Sequence, residues 1–171
     1  SLESSHFPVM LNEVIKISSP SDGGKYIDCT FGGGGYSKQL LKFPKTIVKG
    51  LDRDKKVEAI GKELEKKFPK RFQFHQIIFS QLDTVSKKNV DIIIFDLGLS
   101  SIQLNDLDRG FSFKSTKRLD MSMGLNQISA QDAINNLSEF ILKLLIEIVG
   151  VESGGACLGR IMVEGSVEKG F

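Results

Sequence analysis

The chain has 171 residues, of which 40% are hydrophobic and 26% charged, so it is long enough for one globular domain with a sizeable core. A net charge of +2 is too small to indicate nucleic-acid binding by itself, so an RNA or DNA contact requires a local patch. Two cysteines, Cys29 and Cys157, exclude a disulfide framework and a zinc quartet. They favour a reduced, intracellular protein. Without a signal-peptide core or an apolar run of ~20 residues, we expect a cytoplasmic protein that binds no metal and no membrane.

Helical and strand patterns alternate along the first part of the chain. The elements are a helix from Leu11 to Ile17, a strand from Lys25 to Cys29, a short helix from Ser37 to Lys42, a strand from Thr46 to Leu51, a helix from Lys55 to Phe68, a strand from Phe72 to Gln76, a loop or short helix from Ser80 to Lys87, and a strand from Val90 to Phe95. The apolar run Ile92-Ile93-Ile94-Phe95 is typical of a strand buried on both faces. This order predicts an α/β fold, with a parallel sheet covered on both sides.

After Asp96 the regular periodicity stops. Residues 97–126 predict a long loop, which in a compact domain is usually functional or disordered. Two helical segments follow, one opening at Ser129 with Asp132 in the capping-box position, the other at Ser138. The second is apolar nearly all round between Phe140 and Val149, so it requires burial or a partner, and residues 150–171 have no clear pattern. We therefore predict a core with four strands and a loop over residues 1–126, and a helical insertion segment over 127–171.

Four consecutive glycines, Gly32 to Gly35, lie between a predicted strand and a predicted helix. In an open α/β sheet such a turn is where ligands bind, because backbone N–H groups can approach the ligand without a Cβ in the way. The dinucleotide fingerprint is incomplete, since Ser37 or Lys38 stands in the place of its third glycine, and no Gly-Lys-Ser/Thr follows to make a P-loop.

A ligand with a ribose and no phosphate fits this turn better. Asp52 ends the second strand, where its carboxylate can accept hydrogen bonds from ribose hydroxyls. S-adenosylmethionine meets both conditions, whereas a flexible turn followed by an exposed aspartate is the alternative that the residues leave open.

Asp96 follows the fourth strand and is predicted to lie beside the glycine turn. Its carboxylate could hold the N–H groups of a target amine and aim the nitrogen lone pair at a sulfonium methyl. Asp96 is therefore the candidate catalytic residue, and a helix N-cap or a loop anchor is the alternative.

Several segments together resemble the MraW/RsmH family in order and spacing. They are residues 6–14 (HFPVMLNEV), 28–37 (DCTFGGGGYS), 51–54 (LDRD), 95–104 (FDLGLSSIQL), 109–113 (RGFSF) and 119–123 (LDMSM). Members of this family are bacterial enzymes that use S-adenosylmethionine to methylate the exocyclic N4 of a cytidine in small-subunit ribosomal RNA. The resemblance implies a Rossmann-like methyltransferase fold, a ribosomal RNA partner, and the same reaction for this chain.

The resemblance also implies roles for individual residues. The backbone of Gly34, Gly35 and Tyr36 would hold the methionine part of the cofactor and Asp52 its ribose. Phe79 would lie near the adenine, and Asp96 and Gln103 would complete the pocket.

The segment from Arg109 to Arg118 would face the RNA. The resemblance assigns Arg109 and Arg118 to phosphates, and Phe111 and Phe113 to stacking on a base drawn out of its strand. The alternative is that both phenylalanines pack into the core.

The chain also departs from the family. Tyr36 stands where a histidine is common, and Cys29 where a glycine is usual; we interpret Cys29 as a buried small side chain. The sequence ends before the later strands of the family, which predicts an incomplete fold whose strand from Val90 to Phe95 lies at an open edge. We therefore expect a chain that is poorly stable alone, a homo-oligomer, or a fragment of a longer or degenerate gene.

Two other functions compete with methyl transfer. One is a truncated or degenerate homologue that binds RNA or a partner without catalysis. The other is a nicotinamide-dependent oxidoreductase, which the missing third glycine disfavours.

Overall fold

A computed structural model describes residues 8, 10–86, 89–125 and 128–138 of the chain. The helices are α1 (Leu11–Ser18), α2 (Gly35–Leu40), α3 (Glu58–Lys67), α4 (Leu82–Val85), α5 (Ser101–Asn105) and α6 (Ala130–Asn136). The strands are β1 (Gly24–Asp28), β2 (Thr46–Asp52), β3 (Phe72–Gln76) and β4 (Ile92–Ile94). Single 3₁₀ turns occur at Pro20–Asp22, Lys55–Val57, Phe79–Gln81 and Leu107–Arg109. Thus the predicted elements from Leu11 to Phe95 all form, with ends that differ by a few residues.

The four strands make one parallel sheet in the order β3-β2-β1-β4. In register, Asp28 at the end of β1 lies opposite Gly50 of β2 and Ile94 of β4. Asp52 at the end of β2 lies opposite Gln76 of β3. This order is the first part of the doubly wound Rossmann topology, so the predicted α/β, Rossmann-like fold is confirmed.

The sheet is buried where its sequence is most apolar. Tyr26 and Ile27 of β1, Val48 and Leu51 of β2, and Phe72 of β3 are all at most 3% exposed. Burial of such side chains contributes roughly 1.5–3 kcal/mol each relative to leaving them in water. The middle of the sheet therefore gives the strand ends a rigid support.

The predicted helix from Lys55 to Phe68 begins as a 3₁₀ turn, because the Asp54 carboxylate accepts a hydrogen bond from the Lys56 N–H and caps that turn. Val57 and Leu64 then bury their side chains. The helix ends at Lys67, ahead of Pro69, as a proline in that position requires.

β4 is the last strand of the described sheet. The prediction that this strand is buried on both faces is wrong, because Ile94 is buried whereas Ile93 is 44% and Phe95 49% exposed. A continuous apolar run indicates a buried strand only when both faces of the sheet are covered, and the face of β4 that carries Ile93 and Phe95 is exposed. Among the described residues β4 pairs with β1 alone, and the open edge stays a prediction.

The chain divides into two compact units. The first comprises the described residues of Ser1–Leu97 together with Met123–Leu125, and the second those of Gly98–Ser122 and Asn126–Phe171. The segment from Arg109 to Arg118, predicted to face the RNA, belongs to the second unit, and the predicted division at residue 126 stays a prediction. None of the helices in the described ranges is long and apolar enough to cross a membrane.

In the second unit both short helices have side-chain caps. Ser100 and Gln103 form a reciprocal capping box at the start of α5. The Ser129 hydroxyl accepts a hydrogen bond from the Asp132 N–H at the start of α6, so the predicted helix start is confirmed. The helix predicted to open at Ser138 runs into positions outside the described residues. Cys157 and residues 150–171 also lie outside them.

Candidate functional site

The candidate site begins where β1 and β2 end. β1 passes at Asp28 into the glycine turn, and α2 starts at Gly35. Two hydrogen bonds continue the sheet into this turn, from the Cys29 N–H to the Ile94 carbonyl (2.9 Å) and from the Phe31 N–H to the Leu51 carbonyl (3.0 Å). The turn is therefore held by the strands on both of its sides.

Asp52 lies where the sequence predicted it, at the end of β2. Its Oδ2 accepts a hydrogen bond from the Gly32 N–H at 2.7 Å, and its Oδ1 accepts one from the Asp54 N–H at 2.8 Å. Burial raises the pKa of the carboxyl above its ordinary value, and these backbone hydrogen bonds oppose that rise. Each carboxylate oxygen has a second lone pair, so Asp52 can fix the turn and still accept a ribose hydroxyl.

The glycines differ in the space around them. A Cβ added to Gly33 would meet no atom within 4 Å, whereas one added to Gly34 would lie 2.9 Å from the Phe31 ring. Gly34 also has a φ of +76°, which L side chains rarely adopt. A Cβ on Gly35 would collide with the ring of Pro8. The sequence singled out Gly34 and Gly35, but the open cradle that could receive a ligand is at Gly33.

Asp28 is a site residue that the sequence analysis did not single out. Its side chain has no solvent exposure. It accepts a hydrogen bond from the Ser37 hydroxyl at 2.7 Å, and the Thr30 N–H lies 3.4 Å from its other oxygen. Burial raises the pKa of Asp28 to about 6. The available signal was an acidic residue placed directly after a buried strand and directly before the glycines.

Asp96 follows β4 and is joined to the glycine turn by two contacts. Its N–H donates to the Thr30 Oγ1 at 2.8 Å, and its Oδ2 accepts from the Tyr36 hydroxyl at 3.4 Å. Burial and the neighbouring Asp96 carboxylate raise the pKa of Tyr36 to about 12, so the phenol keeps its proton and donates it. The N-cap alternative for Asp96 is excluded, because Ser100 caps α5. Asp96 is partly exposed, which leaves carboxylate surface for a ligand.

Phe79 and Phe95 form an exposed aromatic pair. Phe79 begins the 3₁₀ turn that follows β3, and Phe95 follows β4. Their rings meet edge to face with centroids 5.6 Å apart, and the residues are 45% and 49% exposed. The sequence predicted Phe79 as an adenine neighbour but missed Phe95, whose apolar context gave no signal other than a strand interior.

In the second unit the predicted site residues fall into two groups. Gln103 is 6% exposed, and its Oε1 accepts the Ser100 N–H of the capping box at 3.0 Å. Arg109 is 9% exposed, donates to the Ser122 carbonyl at 2.8 Å, and lies over the ring of Phe111, which is 1% exposed. Arg109 and Phe111 therefore lie in the interior of the second unit, and their contact with RNA stays a prediction.

Phe113 and Arg118 remain on the surface. Phe113 is 57% exposed, and the Arg118 side chain is 62% exposed and hydrogen-bonded to Asp132. Exposed ion pairs of this kind contribute at most about 1 kcal/mol, so the guanidinium can exchange its carboxylate for a phosphate. Lys114 and Lys117 are also exposed nearby in sequence.

Cys29 is 3% exposed, and burial raises the pKa of its thiol to about 11. The low exposure agrees with its interpretation as a buried small side chain. The raised pKa disfavours a nucleophilic role, because the thiolate and not the thiol is the nucleophile. Within the described residues, no group of three or more His, Cys, Asp or Glu side chains is placed to hold a metal ion.

The chain is similar to known proteins over most of its length. The model of the MraW methylase family matches residues 3–156. Among curated proteins, the chain is 41% identical over 161 residues to the ribosomal RNA small subunit methyltransferase H of Rickettsia massiliae, covering 94% of this chain and 52% of that protein. It is 40% identical over 157 residues to the protein of the same name from Bartonella tribocorum, covering 92% of this chain and 47% of the relative. The chain thus spans about half the length of the curated relatives that it matches.

Two solved structures are similar over part of the chain. A conserved hypothetical protein from Streptococcus pyogenes matches with a TM-score of 0.45 and 16% identity, over 54% of this chain and 61% of the other. A putative S-adenosyl-L-methionine-dependent methyltransferase from Methanococcus maripaludis matches with a TM-score of 0.35 and 23% identity, over 42% and 33%.

Proposed function

We propose a function for this chain from one premise: the chain belongs to the MraW methylase family. The family resemblance stated from the sequence motifs is thereby confirmed, and S-adenosylmethionine is the cofactor that the family implies. We propose that the protein is an S-adenosylmethionine-dependent methyltransferase acting on small-subunit ribosomal RNA, as the names of its relatives say of them. The target that we propose is the exocyclic N4 of a cytidine.

One observation carries this proposal: the glycine turn, Asp52 and Asp96 lie together at the carboxyl end of a parallel sheet. The open side of Gly33 offers room for the amino-acid part of the cofactor, and Asp52 can accept the hydrogen bonds of a ribose. Phe79, with Phe95 beside it, offers an apolar surface to the adenine. The residues present therefore fit S-adenosylmethionine. Gly34, Gly35 and Tyr36 remain part of the proposed cofactor site, and Gln103 remains a cofactor residue proposed from the family resemblance alone.

When bound, the cofactor supplies an activated methyl group on a sulfonium. The protein then has to place the accepting nitrogen in line with that group, which is catalysis by proximity. The lone pair of an exocyclic cytosine amine is delocalised into the ring, so an acceptor that draws its N–H bonds out of the ring plane favours the transition state. Asp96 is the group proposed for this task, because its carboxylate is partly exposed and oriented by Tyr36.

The RNA-binding surface that we propose consists of Phe113, Lys114, Lys117 and Arg118. All four side chains are exposed, and they offer cations for phosphates and a ring on which a base can stack. Arg109 and Phe111 support this segment from within the unit.

The decisive experiment is a methyl-transfer assay on the purified 171-residue chain. Purified protein is incubated with tritiated S-adenosylmethionine and unmodified small ribosomal subunits. The nucleosides released from the RNA are then identified by mass spectrometry. We expect N4-methylcytidine as the product. Its rate of formation should fall at least tenfold in Asp96→Asn and be retained in the matched control Asp83→Asn, whose side chain is exposed on α4. Methylation at another atom would refute the N4 assignment. Binding of cofactor and RNA without transfer would favour the non-catalytic homologue.

A further inference from the structure

The Thr30 hydroxyl occupies a special place at the end of the β1–β4 pair. The Cys29 N–H donates to the Ile94 carbonyl at 2.9 Å, which is the last backbone rung between the two segments. Beyond it, the chain after β1 turns away into the glycines. The next N–H on the other side, that of Asp96, donates instead to Thr30 Oγ1 at 2.8 Å. A side-chain hydroxyl thus accepts the hydrogen bond that a backbone carbonyl would accept within a sheet.

Thr30 is itself held in place. Its N–H lies 3.4 Å from Asp28 Oδ1, and Asp28 Oδ2 accepts the Ser37 hydroxyl at 2.7 Å. Asp28 is completely buried between the turn and α2, so its position is fixed by packing on every side. The acceptor for the Asp96 N–H therefore belongs to a rigid segment and not to a mobile loop.

The other contact to Asp96 comes from the far side of the glycines, through the Tyr36 hydroxyl at 3.4 Å. Residues 30 and 36 lie on either side of the glycines, so hydrogen bonds connect Asp96 to both ends of the turn. A hydrogen bond to the main chain fixes where the Asp96 Cα lies, whereas the tyrosine acts only on the carboxylate. The threonine contact is thus the one that sets the distance between Asp96 and the glycine turn.

From this geometry we infer that Thr30 is a positioning residue for methyl transfer, holding the main chain of Asp96 at a fixed distance from the cofactor turn. The inference rests on the proposed function. Displacement of a reacting group by about 1 Å can cost about a hundredfold in rate, so one hydroxyl is sufficient to matter. Thr30 does not touch the reacting atoms in this scheme.

Thr30→Val tests the inference, because valine keeps the branched shape and removes only the hydroxyl that accepts the Asp96 N–H. We expect kcat to fall at least tenfold, while the dissociation constant for S-adenosylmethionine, measured by calorimetry, changes by less than threefold. Thr30→Ser, which restores the hydroxyl, should recover most of the rate. The matched control is Thr46→Val, which removes a buried hydroxyl that donates to the Leu40 and Phe43 carbonyls at 2.8 Å. Thr46 starts β2, at the opposite end of that strand from Asp52, so its loss should lower thermal stability and leave kcat unchanged.

A second measurement does not depend on activity. We expect the Asp96 amide to exchange with deuterium at least tenfold faster in Thr30→Val than in the wild type, and to regain its protection in Thr30→Ser. Unchanged exchange of this amide, or an unchanged kcat, would overturn the inference, as would a parallel loss of cofactor affinity. If the wild type transfers no methyl group but Asp96 exchange responds to Thr30, the proposed function fails and the positioning contact stands.

Discussion

Asp28 is a buried carboxyl whose surroundings disfavour its charged form. It has no solvent exposure, and burial raises its pKa to about 6 from an ordinary value of 3.8. Hydrogen bonds from Ser37 and Thr30 oppose this rise without cancelling it. Asp28 is therefore ionised at neutral pH at a cost to folding, which is consistent with a residue that shapes a site and not with one that stabilises a core.

The cost can be measured as a pH dependence. Because the folded state binds the Asp28 proton more tightly than the unfolded chain, this group's contribution to stability is greatest below pH 3.8 and decreases until the pH exceeds about 6. Asp28→Asn cannot titrate. Relative to this variant, the wild type should lose about 2 kcal/mol of unfolding free energy between pH 4.5 and 7.5, at about 1.4 kcal/mol per pKa unit. Urea unfolding followed by circular dichroism measures the difference.

The control for Asp28→Asn is Asp83→Asn at an exposed position, which should follow the wild-type pH profile. A stability difference between Asp28→Asn and the wild type that is independent of pH would show that Asp28 does not titrate in this range.

At the scale of an element, the glycine turn combines two requirements. Gly34 is needed for the fold, because its φ of +76° and its contact with the Phe31 ring leave no room for a side chain. Gly33 has no such need, since a Cβ there would meet only open space. A glycine without a structural requirement, next to one with a strong requirement, indicates space that is kept for a ligand.

Alanine substitutions separate the two requirements. Gly34→Ala should lower the unfolding free energy by about 2 kcal/mol, from the left-handed backbone and the crowding of Phe31. Gly33→Ala should change it by less than about 0.5 kcal/mol, as for an open surface position. Calorimetric titration should nevertheless show that Gly33→Ala binds S-adenosylmethionine at least tenfold more weakly. If Gly33→Ala binds the cofactor like the wild type, the cofactor does not lie over Gly33.

At the scale of the whole molecule, the predicted open edge at β4 is the feature of the first unit with the largest consequence. Ile93, Phe95, Phe79 and Leu97 are between 44% and 70% exposed. β4 also has only one described neighbour, β1, so its outer backbone groups can pair with another strand. Exposed apolar side chains next to a strand edge favour association between molecules.

We therefore expect the isolated chain to self-associate. Sedimentation velocity should show an average mass that rises with protein concentration, and Ile93→Lys, which places a charge on the edge strand, should reduce that rise. Ile17→Lys is the matched control, because Ile17 is 80% exposed and belongs to α1 and not to the sheet. A single monomeric species at all concentrations, with cooperative unfolding, would contradict this expectation.

The sequence determined the order and type of the elements from Leu11 to Phe95, because hydrophobic periodicity and the glycine and proline positions are local signals. The glycine turn and Asp52 favoured S-adenosylmethionine, since both sit at strand ends whose meeting point a parallel sheet dictates, and the family resemblance implied the same cofactor. The sequence left open whether Phe111 faces the RNA or packs into the core, because an arginine and a phenylalanine two residues apart in a loop have no periodicity that reveals burial. In the structure both Arg109 and Phe111 are buried. The roles of Asp28 and Thr30 were equally hidden.

The glycine turn and Asp52 could thus be recognised from the chain alone, but only the tertiary structure decided which side chains support them. Asp28 disappears into the core, Thr30 reaches the main chain of Asp96 across 66 positions of sequence, and Arg109 closes over Phe111. Each depends on contacts between segments distant in sequence or on a loop folding back on itself. The local sequence pattern determines the path of the backbone, whereas burial and side-chain pairing are set when the strands align and the loops close.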